Sequence, residues 1–143
     1  MKRQTTITFW ALIGCFLFIV AMMFAPPIQE LLRGPVAFLT PFGAFLFFGV
    51  LLTVSAWREP KGGARTWLLL AGLSAVGVFV SVILHNLVYA LFIVLFGDGF
   101  WERSGLGDEP VFFILGTVVL PALYLVSAVG GTVCLLKERA KTR

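Results

Sequence analysis

The sequence predicts an all-α membrane protein with four membrane-spanning helices, on the basis of its composition and its apolar runs. Of the 143 residues, 59% are hydrophobic and only 13% are charged, and the mean hydropathy is +1.00. Soluble domains carry about 25% charged residues, so this composition excludes a soluble domain. Four apolar runs without Asp, Glu, Lys or Arg are each long enough to cross roughly 30 Å of hydrocarbon.

The spans follow one another with short connections. The first span is predicted at residues 7–25 and the second at 36–57, where the polar turn Arg58-Glu59-Pro60-Lys61-Gly62-Gly63 ends it. The third span is predicted at 67–96 and the fourth at 111–136. No connection is long enough for a folded domain outside the membrane. The chain is therefore expected to be a single membrane domain, residues 1–143.

The basic residues predict the orientation of these spans. Only Arg33 and Arg103 lie in the connections on one side, and the other nine of the eleven Lys and Arg residues flank the opposite side. Cytoplasmic flanks of membrane helices collect basic residues. We therefore expect an antiparallel bundle with both termini in the cytoplasm, in the cytoplasmic membrane of a prokaryote. The pI of about 9.5 reflects this topology and indicates no binding of nucleic acid.

Residue types that support chemistry are scarce in the spans. Charged residues inside spans commonly mark ion or proton pathways, and none is present. The single His excludes haem ligation by paired histidines, and it has no partner at the helical spacing that metal sites use. Cys15 and Cys134 lie in separate spans and are expected to be packing residues. We predict no catalytic centre, no metal and no cofactor, and therefore no enzyme.

A polar stripe marks the third span. Ser74, Ser81, His85 and Tyr89 recur at spacings of seven, four and four residues, which places them on one helix face. That face should contact protein. At 1.5 Å per residue, His85 lies about 27 Å above Trp67, near the outer edge of the hydrocarbon.

Polar and kinking residues of other spans fall near that height when they are measured from Trp57 and Leu136. Proline removes an amide donor and frees the carbonyl four residues earlier, which is Ala37 for Pro41 and Thr117 for Pro121. We group the polar residues at this level as the outer polar belt, which consists of Thr40, Ser81, His85, Asn86, Tyr89 and Thr117.

Two interpretations of the outer polar belt remain open. In the first, His85 and Asn86 bind the freed carbonyls and lock the helices together. In the second, the belt lines a pocket that opens outward below Glu30, Arg33, Asp108 or Glu109, and His85 binds a ligand or senses acidity. Because no charged residue in any span stands near His85, the first interpretation is favoured.

The third run is too long for the membrane. Thirty residues measure about 45 Å, so the segment 87–96 exceeds the hydrocarbon. We expect it to pack under the loop 97–110, whose Phe100 and Trp101 are typical interfacial anchors, or to be covered by a partner subunit.

The segment His85-Asn86-Leu87-Val88-Tyr89-Ala90-Leu91-Phe92, followed by Glu109-Pro110-Val111-Phe112-Phe113 and Pro121, resembles uncharacterised small four-helix integral membrane proteins of prokaryotes. The resemblance covers residues 81–125. It implies that the third and fourth helices pair, and it implies no reaction.

Two functions follow as expectations. The first is a structural or accessory membrane subunit that contacts the lipid bilayer and a membrane protein partner or a second copy of itself. The second is a small transporter or sensor that uses the outer polar belt around His85.

Overall fold

The computed structural model describes residues 2–31 and 34–141, and this part of the chain is helical without a strand. Four helices are long and apolar enough to cross a membrane: Arg3–Phe24, Pro35–Trp57, Gly63–Phe96 and Pro110–Glu138. They confirm the four predicted spans. Arg33 and Arg143, which enter the charge count above, lie outside the described residues.

Shorter elements join and interrupt these helices. Pro26 ends the first helix, because the residue before a proline is pushed out of the helical region, and Ala25 is extended. Pro35 and Pro110 each begin a helix, where a missing amide donor costs nothing. The elements are α1 (Arg3–Phe24), α2 (Pro26–Leu31), α3 (Pro35–Trp57), α4 (Gly63–Phe96), α5 (Phe100–Arg103), α6 (Pro110–Ile114), a π-helical turn (Leu115–Val119) and α7 (Leu120–Lys141).

Small residues allow α4 to approach both of its neighbours closely. It contacts α3 on one side and α7 on the other, and α1 packs against α3. A Cβ on Gly49 would stand 3.0 Å from the Cβ of Ala75, and one on Gly130 would stand 2.5 Å from the ring of Trp67. The packing of these helices therefore depends on glycine at positions where the partner helix leaves no space.

The centre of the molecule is an aromatic cluster. The ring of Tyr124 lies 4.8 Å from that of Phe16 and 5.3 Å from that of Phe45, and Phe79 contacts Phe45 from α4. Tyr124 is 1% exposed. These side chains come from α1, α3, α4 and α7, so the core joins all four long helices.

A π-helical turn precedes Pro121. Within it, the N–H of Leu120 donates to the carbonyl of Leu115, five residues back. Such turns bend helices, so the last membrane-spanning helix consists of two segments, α6 and α7.

The loop after α4 folds back on that helix. Gly97 ends α4 with a φ of 86°, and α5 brings the ring of Trp101 parallel to Tyr89 at 5.7 Å. The indole N–H of Trp101 donates to the carbonyl of Tyr89 at 3.1 Å, and the side chain is buried. Phe92 packs against Phe100. These contacts confirm the predicted packing of the loop against the end of α4.

Candidate functional site

A histidine and two carboxylates meet where α4 passes the start of α6. The Nδ1 atom of His85 lies 3.2 Å from Oε2 of Glu109 and 3.1 Å from the main-chain oxygen of the same residue. The Nε2 atom lies 3.7 Å from Oδ2 of Asp108. We call His85, Asp108 and Glu109 the His85 clasp. It connects α4 to the beginning of the last membrane-spanning helix.

Glu109 is held in place by the helix that it begins. Its carboxylate accepts the amide N–H of Val111 at 2.8 Å and that of Phe112 at 3.0 Å, as an N-cap does. Pro110 keeps Glu109 extended before the helix. The positive end of the helix dipole favours the negative carboxylate, which is almost completely buried.

Asp108 is oriented by the backbone on both sides. Its Oδ1 atom accepts the N–H of Glu109 at 2.7 Å, while the side chain is 55% exposed. The preceding Gly107 has a φ of 71°, and its N–H donates to the carbonyl of Trp101. Because Trp101 is anchored on Tyr89, one turn beyond His85, the loop carries Asp108 to a defined place beside the imidazole ring.

The protonation state of His85 determines how many of these contacts form. A neutral imidazole has one N–H and donates from one nitrogen, whereas an imidazolium donates from both. Both nitrogens of His85 face carboxylate oxygens, and the ring is 18% exposed. The arrangement therefore offers the charged ring two acceptors of opposite charge, and water reaches the Asp108 side.

The predicted outer polar belt separates into two groups. Ser81 is buried beside Gly116, and Tyr89 stacks on Trp101, so both face protein together with His85. The other three side chains are exposed, and each donates to a carbonyl four residues earlier in its own helix: Asn86 to Val82, Thr40 to Val36, and Thr117 to Phe113.

The expectation that His85 and Asn86 bind the carbonyls of Ala37 and Thr117 is wrong. The hydrogen bonds of His85 run to Glu109, and that of Asn86 runs to Val82. Asn86 is one residue beyond His85, about 100° around the helix, so it points away from the neighbours that His85 faces.

The expectation also assumes that Trp67 and Leu136 lie at the same height, since the positions of the other residues are measured from them. Trp67 is not level with Leu136, because its ring lies against Gly130, six residues earlier in α7. Six residues correspond to about 9 Å, so the true partner of His85 is the start of α6 rather than Thr117. The sequence pattern that could have identified Glu109 is an acidic N-cap residue directly before a proline at the start of a span.

A second carboxylate cluster joins α1 to the turn after α3. The Thr5 hydroxyl donates to Oε1 of Glu59 at 2.6 Å, and the main-chain N–H of Lys2 donates to the same oxygen at 3.0 Å. Burial alone would raise the pKa of Glu59, but these two hydrogen bonds and the charge of Lys2 outweigh it and lower the pKa below its ordinary value. We call Lys2, Thr5 and Glu59 the Glu59 latch.

Within residues 2–31 and 34–141, no group of three or more His, Cys, Asp or Glu side chains is arranged to hold a metal ion. No family model matches the chain, and no curated protein or solved structure matches it either. The functional conclusion therefore depends on the geometry and the charges of the His85 clasp.

Proposed function

We propose that this chain is a pH sensor of the membrane and that the His85 clasp is its sensing element. The observation that carries the proposal is the position of both ring nitrogens, which face the carboxylates of Glu109 and Asp108. An imidazole ordinarily changes charge between about pH 5 and 8. Protonation places a positive ring between two carboxylates, and deprotonation leaves the two carboxylates facing a neutral ring.

The proposed signal passes through the backbone. Glu109 caps α6, so a change in its bonding to His85 acts directly on the start of the last membrane-spanning helix. The π-helical turn that follows α6 is a place where this short segment can move relative to α7. We infer that loss of the proton loosens α6 and the loop 104–109 from α4.

The proposed topology is an antiparallel four-helix bundle in the cytoplasmic membrane of a prokaryote, with both termini in the cytoplasm. Three contacts between α4 and the last span support the antiparallel part: Trp67 with Gly130, Gly77 with Leu120, and Ser81 with Gly116. The distribution of Lys and Arg supports the orientation. The clasp then faces the outside of the cell and responds to external acidity.

A sensor is favoured over a transporter. A transported ion or polar solute needs charged or polar groups through the bilayer, and the spans contain no Asp, Glu, Lys or Arg. The aromatic cluster fills the centre of the molecule with apolar side chains. Within the described residues, the charged groups of the clasp meet at a single level of α4, that of His85.

The accessory-subunit function is the second candidate, and the length of α4 favours it. Its 34 residues measure about 51 Å, well beyond the hydrocarbon thickness. Val94 near its end is 81% exposed, on the side that the loop does not cover. A photo-crosslinker at Val94 should give a protein adduct if this face contacts a partner, whereas adducts with lipid alone would contradict the accessory function.

The sensor is tested by NMR on the protein labelled at histidine, because the chain contains one His and its signal is unambiguous. The ¹⁵N shifts of His85 and the amide shifts of Gly105 and Gly107 should change with one common midpoint. Glu109→Gln removes a negative charge from beside the ring while keeping an acceptor. The change of the Gly105 and Gly107 amide shifts between about pH 5 and 8 should therefore be smaller in this variant.

Glu102→Gln is the matched control, because Glu102 is an exposed carboxylate of the same loop and does not belong to the clasp. Its amide shifts should change with pH as those of the wild type do. A wild-type loop whose amides do not follow His85, or a change of the loop amides that Glu109→Gln leaves as large as in the wild type, would overturn the sensor.

A further inference from the structure

A pocket lies between α1 and α3, near the Glu59 latch. The latch precedes the start of α4, whereas the His85 clasp lies far along that helix. The pocket has a volume of about 190 Å³. It is lined near the start of α1 by Lys2, Gln4 and Thr5, and near the end of α3 by Val50, Leu51, Val54, Ser55 and Arg58. The pocket is therefore cationic at the end of the helices and apolar toward the middle of the span.

Two apolar lining residues and one cation form a continuous stripe along α3 and the residue that follows it. Val50, Val54 and Arg58 follow one another at intervals of four residues, so they share a helix face, and both valines are exposed. Four residues advance about 6 Å along a helix. A chain lying on this stripe would have its polar end at Arg58 and would run over Val54 and Val50 toward the centre of the membrane.

Of the two cations that line the pocket, Lys2 also acts on Glu59, whereas Arg58 is available to an external anion. The nearest carboxylate along the chain is Glu59, but it is turned toward Thr5 and the main chain of Lys2 and does not line the pocket. Among the described residues, the guanidinium of Arg58 has no carboxylate partner. Lys2 and Gln4 add further donors beside it.

We propose that this pocket binds one anionic phospholipid, with its headgroup phosphate between Lys2 and Arg58 and one acyl chain on the stripe of Val54 and Val50. Phosphate is the group that suits a lysine ammonium and an arginine fork together. The apolar stripe favours a phosphate that carries a long acyl chain over free inorganic phosphate. The site is independent of the proposed sensor, because it shares no residue with the His85 clasp.

The proposal is tested by native mass spectrometry of the detergent-solubilised protein titrated with phosphatidylglycerol or phosphatidylcholine. The wild type should bind one phosphatidylglycerol more tightly than any phosphatidylcholine. Arg58→Gln should weaken that first binding event about fivefold, the effect of one basic residue at a lipid surface. Lys61→Gln removes the same charge from the same turn outside the pocket, and it should leave the affinity unchanged.

Two further arms separate the lipid from its headgroup. Val54→Asn should weaken binding of phosphatidylglycerol, because it places an amide under the acyl chain. Glycerol 3-phosphate, which has the headgroup chemistry without a chain, should not bind measurably. Equal effects of Arg58→Gln and Lys61→Gln, no preference for the anionic lipid, or equal binding of glycerol 3-phosphate would each overturn the proposal.

Discussion

Tyr124 carries a polar hydroxyl into the apolar core. It is 1% exposed, and its hydroxyl has no hydrogen-bond partner among the described residues. A buried polar group without a partner costs about 1–3 kcal/mol. The ring itself is needed, since it packs against Phe16 and Phe45 in the core.

Tyr124→Phe should therefore stabilise the protein. The variant keeps the ring contacts and removes the unpaired hydroxyl, so the free energy of unfolding should rise by about 1 kcal/mol. Thermal unfolding in detergent, followed by circular dichroism, measures the change. Tyr89→Phe is the control, and a Tyr124→Phe variant less stable than wild type would show that the hydroxyl has a partner.

The lowered pKa of Glu59 predicts how the stability of the folded protein depends on pH in acid. Its pKa is lower in the folded protein than its ordinary value, so the folded state prefers the charged carboxylate. Its contribution is complete above the ordinary Glu range, near pH 4.5, and disappears as the pH falls through the lowered value. The wild type should thus lose this contribution as the pH falls below about 4.5.

Thr5→Val removes the shortest hydrogen bond of the Glu59 latch. The pKa of Glu59 should then move upward, so the loss of stability on acidification should be smaller than in the wild type and should be complete at a higher pH. Melting temperatures between about pH 3 and 7 test this expectation. Thr66→Val, at an exposed threonine of α4, is the control, and identical acid profiles for wild type and Thr5→Val would contradict it.

At the scale of elements, the contact between α4 and α7 depends on the absence of a side chain at Gly130. A Cβ there would stand 2.5 Å from the ring of Trp67, which is a rigid group. Gly130→Ala should cost about 1–3 kcal/mol, because the ring must move or the helices must separate.

Gly14→Ala is the matched control for this contact, since nothing lies within 4 Å of a Cβ at position 14. That variant should be as stable as the wild type or slightly more stable, because alanine favours the helix. Both free energies come from unfolding in mixed micelles. A Gly130→Ala variant as stable as Gly14→Ala would mean that α4 and α7 do not touch as described.

Hydropathy predicts the long elements well and the short ones poorly. The ends of each predicted span lie within a few residues of the ends of its helix. An apolar segment of about 20 residues forms a helix in lipid, because its backbone N–H and C=O groups must then bond to one another. The helices α2 and α5 have six and four residues, too few for any periodic pattern. The π-helical turn has no signal of its own beyond the nearby Pro121.

The sequence predicts that His85 contacts protein, and it names Asp108 and Glu109 only among four charged residues above the outer polar belt. The first expectation follows because a lone polar face in an apolar helix must contact protein, and His85 does contact Glu109. Asp108 and Glu109 lie 23 and 24 residues beyond His85 across a loop, and their position depends on the contact of Trp101 with Tyr89. No spacing rule connects such residues, and the threonines at similar calculated heights are bonded within their own helices.

At the scale of the whole molecule, the proposed orientation is open to a direct test. Single cysteines at Gly63 and Leu106, in a background without Cys15 and Cys134, are both at exposed positions beside opposite parts of α4. An impermeant thiol reagent applied to intact cells should label position 106 and not position 63. Labelling of position 63 alone would invert the topology.

The π-helical turn also determines the phase of the last span. Its bonds reach back five residues rather than four, so the turn holds one residue more than an α-helix would. Winding the same residues 115–119 as a regular α-helix would rotate everything before them by about 100° relative to α7. Glu109 would then leave the ring of His85 although neither residue had changed. The contact between the Glu109 carboxylate and the His85 imidazole thus depends on the wide winding of one turn between α6 and α7.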